Sequence, residues 1–144
     1  MLFPQDRDQL RQFYCDVWHR QRAGEALTPL ERQVFNVILL HPEYQPLLEH
    51  PDAALNRDYL PELGETNPFL HMGLHLALHE QLATDRPAGI RALTQRLRRA
   101  RPDGHDLEHR MMDCLAEAIW RGQRDNIPPD EAQYIQCLER LLQQ

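Results

Sequence analysis

The sequence predicts an all-α protein, a single-domain bundle of four to six helices spanning residues 1–144. Three observations predict it. Apolar residues recur at three- and four-residue spacing through most of the chain, as along one face of an α-helix. Helix start signals stand at Thr28, Asn67 and Asp103. No stretch of useful length alternates apolar and polar residues as a half-buried strand would, and there is no Gly-rich phosphate loop or convincing internal repeat.

Each element follows from the residues in turn. Gln5 to Arg22 places Leu10, Phe13, Tyr14, Val17 and Trp18 at helical spacing, and Gly24 ends the run. Thr28-Pro29-Leu30-Glu31 is a capping-box pattern with proline at the first helical position. It opens a helix to about His41, with Leu30, Val34, Phe35, Val37 and Ile38 facing inward, which Pro42 stops. A shorter segment to His50 provides one or two helical turns, and Pro51 to Thr66 reads as a long ordered loop containing at most another turn. Asn67 caps the central helix, with Pro68 at its first position. After Asp85-Arg86-Pro87 comes a helix to about Arg101 with a thin apolar stripe of Ile90, Leu93 and Leu97. Asp103 caps a helix from about His105 to Arg124, and Ile127-Pro-Pro-Asp130 starts the last one.

The totals bound the function. A chain of 144 residues, 42% hydrophobic and 26% charged, suits one soluble globular domain with an adequate core. The net charge of -6 argues against general nucleic-acid binding and for a cytoplasmic protein. Cys15, Cys114 and Cys137 are odd in number and far apart, without a Cys-x-x-Cys pair. That pattern predicts free core cysteines in a reducing compartment, with no disulfide framework and no thiolate zinc site. The segment MLFPQDRDQL has no basic stretch followed by an apolar run, so no signal peptide is expected. No apolar run approaches the ~18 residues that span a bilayer, so no membrane association is expected.

Chemistry concentrates in NPFLHMGLHLALHEQ, Asn67 to Gln81. Four residues turn a helix by about 400°, so His71, His75 and His79 lie nearly on one line. His71 and His75 fall among Leu74, Leu78 and Leu82, inside the apolar arc, while His79 lies at its edge. The helix HDLEHRMMDCLAEAIW places His109, Asp113 and Glu117 at the same spacing, with Glu108 turned toward its apolar face. Two helices facing each other with two ligands apiece can hold zinc, iron or manganese, the metals that suit imidazole and carboxylate donors. The candidate ligands are His71, His75, His109 and Asp113, with Glu117 and Glu108 completing or orienting the set. His41, on the apolar face of its helix, is either a further ligand or a helix-end cap. The opposite reading pairs His71 and His75 with Asp113, Glu117 or Glu31 as a purely structural polar network.

Several chemistries are absent. Met72 occupies the position where a zincin has glutamate, and the Glu-x-x-His of di-iron bundles is missing, so a mononuclear site is the easier one to build. Cys114 lies away from His109 on its helical wheel, and the chain contains no serine. The alternative to metal binding is a non-enzymatic interaction module. Arg91, Arg96, Arg98, Arg99 and Arg101 form a basic face that could dock a protein partner or a second copy of the chain.

HPEY at His41 to Tyr44, ETNPFLHMGLHLALHEQ at Glu65 to Gln81, DRPAGI at Asp85 to Ile90 and EHRMMDCLAEAIW at Glu108 to Trp120 carry a resemblance. Together they resemble a bacterial single-domain family, domain of unknown function 1841. The NPFLH-x-x-LH stretch is its most telling part. The resemblance implies a small intracellular helical protein with histidine at the positions of His71, His75 and His109 and glutamate at those of Glu108 and Glu117. His79 departs from that pattern.

Overall fold

The computed structural model describes residues 7–59 and 67–143. The first two residues expected in the opening helix, and residues 60–66 of the loop expected from Pro51 to Thr66, lie outside the described residues, while Pro51–Asn56 of that loop is helical. Eight α-helices are present among the described residues, with no strand: α1 Arg7–Arg22, α2 Pro29–Leu39, α3 Gln45–Leu48, α4 Pro51–Asn56, α5 Pro68–Thr84, α6 Ile90–Ala100, α7 Gly104–Asp125 and α8 Glu131–Arg140. The all-α class stands, and the expected count of four to six is corrected to eight. The excess is chiefly the work of proline. Pro42, Pro46 and Pro51 lack the N–H that would carry a helix through them, so this stretch forms a 3-10 turn at Pro42–Tyr44 followed by α3 and α4. Among the described residues no helix is long and apolar enough to cross a membrane.

The chain divides into two compact units, Met1–Leu76 and Ala77–Gln144, with α5 contributing residues to each. In the first, α1 packs on α2 and α4. Its core is built from Tyr14, Val17, Val34, Ile38, Leu48 and Met72, all essentially inaccessible to solvent. The capping box at α2 forms as the sequence predicts: Glu31 N–H donates to Thr28 Oγ1 at 3.2 Å, and Thr28 N–H donates to Glu31 Oε1 at 2.9 Å. Arg20 adds an ion pair to the other Glu31 oxygen. Asn67 caps α5 by accepting from Phe69 N–H at 3.0 Å.

One cation ties this unit together. Arg11, on α1, is only 4% exposed. Its guanidinium donates to Ala54 O at 2.9 Å and Arg57 O at 2.7 Å, taking up carbonyls that the C-terminal end of α4 leaves without helical donors. The same group lies over the Phe69 ring at 5.1 Å, a cation–π contact.

In the second unit α7 packs on α6 and α8. Ile90, Leu93 and Leu97 of the predicted α6 stripe are buried, with Leu107, Met111 and Leu138 also in the interior. Asp103 and Asp130 cap α7 and α8 by accepting from Asp106 N–H and Gln133 N–H. Gly122 is required where α7 meets the chain that turns back toward α8. A Cβ there would sit 2.8 Å from Ile127 O and 3.1 Å from Pro129 N, both backbone atoms that cannot swing aside.

The cysteine expectation is corrected. Cys114 of α7 and Cys137 of α8 form a disulfide, with Cα atoms 5.8 Å apart, while Cys15 is free and buried as expected. The two cysteines are 23 residues apart, and only the packing of α7 on α8 brings them into bonding range. No local spacing signals such a pair.

Two outcomes follow. Arg11→Ala removes the donor to the buried Ala54 carbonyl and the packing of the guanidinium on Phe69, and should cost about 2–4 kcal/mol, read as a lower midpoint in denaturant. Glu31 behaves differently with pH. Chiefly the Thr28 N–H bond, with the Arg20 charge, holds its carboxyl below the usual carboxylate range. A depressed folded-state pKa gives stability that is present above the unfolded value of about 4.3 and is lost as pH falls through the folded one. The stability difference between the protein and Glu31→Gln should therefore shrink as pH is lowered from roughly 6 to 3.

Candidate metal centre

The site is built by two local features of the first unit. On α5, four-residue spacing sets the His71 and His75 rings one above the other, with centroids 4.8 Å apart and planes at 78°. Their Nε2 atoms stand 3.2 Å apart. At the end of α2, Pro42 stops the helix and turns the chain, and His41 directs its ring toward the same place. The His41 centroid lies 4.9 Å from that of His71 and 4.8 Å from that of His75. One ring nitrogen from each of the three histidines lies within 4.8 Å of the others. His41 and His75 are buried, at 5% and 2% exposure, and His71 is half-buried.

The His41 ring is held from two sides. His41 Nδ1–H donates to Val37 O at 2.9 Å, a second donor on a carbonyl that also accepts Leu40 N–H at 3.1 Å at the end of α2. A carbonyl can only accept, so a proton is on Nδ1, and in the neutral form of the ring the lone pair is on Nε2. Of the two sequence readings of His41, the helix-end cap is the one this bond meets. Tyr44 lies flat against His41, centroids 5.1 Å apart and planes at 10°, and meets His71 edge-on at 6.3 Å. Burial pushes the Tyr44 phenol above its usual pKa, so it is a neutral wall of the site rather than an anionic donor.

The separation of 3.2 Å between the His71 and His75 Nε2 atoms has two chemical meanings. It suits an N–H···N hydrogen bond between neutral rings. It also matches the edge of a tetrahedron around zinc, about 3.3 Å for metal–nitrogen bonds near 2.05 Å. The arrangement supplies three imidazoles from two chain segments, as a site with three protein ligands and an open position requires.

The remaining candidates lie in the second unit, on α7. His109 is half-buried, its ring 4.3 Å from that of His105, and its Nδ1–H donates to His105 O at 2.8 Å. Asp113 is exposed. Glu117 is exposed and pairs with Arg121 at 2.7 Å. Glu108 accepts a 2.5 Å bond from His79 Nε2, on the lip of a cleft of about 170 Å³ that Arg98 also lines. The structure therefore gathers His71 and His75 with His41, and it pairs Glu108 with His79. That second pairing was missed by sequence reasoning, because it depends on the register of α5 against α7, for which the chain carries no local signal.

The basic face of α6 is partly structural. Arg91 donates to Leu82 O at 3.0 Å and Ala83 O at 2.8 Å, closing the end of α5, and Arg101 donates to Leu141 O at 3.1 Å. Arg96, Arg98 and Arg99 remain on its exposed side.

Comparison with known proteins adds a family but no neighbour with an assigned role. No curated protein and no solved structure matches the chain. The family model described as domain of unknown function (DUF1841) matches residues 6–140, a span that includes His41, His71, His75 and Tyr44, so the chain belongs to that family.

Proposed function

We propose that the protein binds one divalent transition-metal ion through His41, His71 and His75, with zinc the best fit among zinc, iron and manganese. The convergence of three ring nitrogens within 4.8 Å, drawn from two chain segments, carries this reading. Three neutral nitrogen donors without thiolate or carboxylate suit zinc better than manganese, which favours oxygen. The Val37 carbonyl supports the reading further, since a metal-binding histidine characteristically donates its other N–H to such an acceptor. A three-histidine set leaves a fourth position for water, whose pKa zinc would lower toward neutrality. A cytoplasmic location belongs to the same reading and is supported by the acidic charge of the sequence.

The competing account makes the three rings a structural cluster in an interaction module, with the 3.2 Å contact a hydrogen bond. Metal content separates the two. Tag-free protein refolded with zinc should hold about one ion per chain by elemental analysis. His71→Ala and His75→Ala should each lower affinity by about 100-fold or more, while His109→Ala and Asp113→Ala leave it unchanged. Circular dichroism of the variants guards against loss of fold. Protein that stays empty, with a melting temperature indifferent to zinc, would overturn the proposal.

A further inference from the structure

The Cys114–Cys137 disulfide is not sealed inside the second unit. Both cysteines line an open cleft of about 160 Å³ between α7 and α8, shared with Arg121, Gln133, Tyr134 and Arg140. The two halves of the bond differ in access. Cys114 is 4% exposed, whereas Cys137 is half-buried and faces the cleft. Thiol–disulfide exchange requires a thiolate to reach one sulfur, so access selects Cys137 as the sulfur attacked.

The electrostatics of the cleft select the attacking group. Arg121 and Arg140 are its two cations, and Glu117 is its one acid. Glu117 is already paired with Arg121 at 2.7 Å. Arg140, one turn from Cys137 on α8, therefore gives the cleft a net positive charge where the reactive sulfur is reached. A guanidinium there favours an approaching thiolate and any carboxylate it carries.

We infer that this cleft makes the Cys114–Cys137 bond an exchangeable redox site for a small thiol bearing carboxylates. In the first step the thiolate attacks Cys137 Sγ. A mixed disulfide forms there, the Cys114–Cys137 bond breaks, and Cys114 leaves as a thiolate that takes a proton from water. A second thiolate attacks the small-molecule sulfur of the mixed disulfide and releases Cys137 as a thiolate, which is protonated in turn. The protein disulfide gains two electrons and two protons, and two thiols are oxidised to one small disulfide. The reverse sequence, starting from that small disulfide, restores the cross-link between α7 and α8.

The test uses the full chain, with alkylation and mass spectrometry counting thiols after denaturation. As purified in air, one thiol should be found, from Cys15, and millimolar glutathione should raise the number to three. The rate is then compared between glutathione, which is anionic, and cysteamine, which is cationic, so that intrinsic thiol reactivity cancels when the ratio is followed across variants. Arg140→Glu should lower the glutathione-to-cysteamine ratio on the order of tenfold, and Arg140→Gln should fall between. Arg140 is on the surface, and circular dichroism checks that both variants fold. Three thiols in the air-purified protein, resistance to glutathione in the folded state, or a ratio unmoved by Arg140→Glu would each overturn the inference.

Discussion

The bond from His41 Nδ1–H to Val37 O, 2.9 Å long, is the constraint on which the candidate site rests. It joins three levels of organisation. At the level of sequence, Pro42 forces α2 to stop, and its last carbonyls are taken up by the tightened final turn. At the level of local structure, the ring of His41 folds back and gives Val37 O a second donor beside Leu40 N–H. At the level of chemistry, the same bond places a proton on Nδ1 of a ring whose centroid lies 4.9 Å from that of His71 and 4.8 Å from that of His75. Without it the His41 ring would lose an anchor beside the pair that His71 and His75 form on α5.

A polar cluster inside an apolar environment is costly unless its groups find partners. The first unit manages this by rigid support on each side. Tyr44 closes one flank of the rings, and Arg11 fixes the end of α4 while reaching the Phe69 ring, two residues before His71. Arg11 and the histidines thus share α5 as a common wall. Loosening the Arg11 contacts would be felt at the start of α5, where the site is built. The second unit uses another device, a covalent link between α7 and α8, and its exposed edge opens on a cationic cleft.

The legible parts of this molecule are those governed by neighbours in sequence. Thr28-Pro29-Leu30-Glu31 and Asn67-Pro68 encode their caps within four residues, and both caps form. The stacking of His71 on His75 is likewise a property of helical geometry alone. His41 stands out in the sequence as a histidine on an apolar face, and its closeness to the His71 and His75 rings is legible only in the structure. The parts that the sequence did not disclose depend on register between helices distant in the chain. Cys114 with Cys137 and His79 with Glu108 are such pairs, since a shift of one residue along either helix would separate them. The short helices α3 and α4 were underestimated because three prolines read as interruption, whereas each also starts a turn.

The central claim is that three imidazoles share one ion, with the His41 tautomer fixed in advance. Nitrogen-15 NMR of histidine-labelled protein tests it most directly, because each ring nitrogen reports its own proton or metal. The account predicts that His41 carries its proton on Nδ1 before metal is added, and that one equivalent of zinc then shifts the Nε2 signals of His41, His71 and His75 together. A proton on His41 Nε2, or a zinc titration that leaves the three Nε2 signals in place, would contradict it.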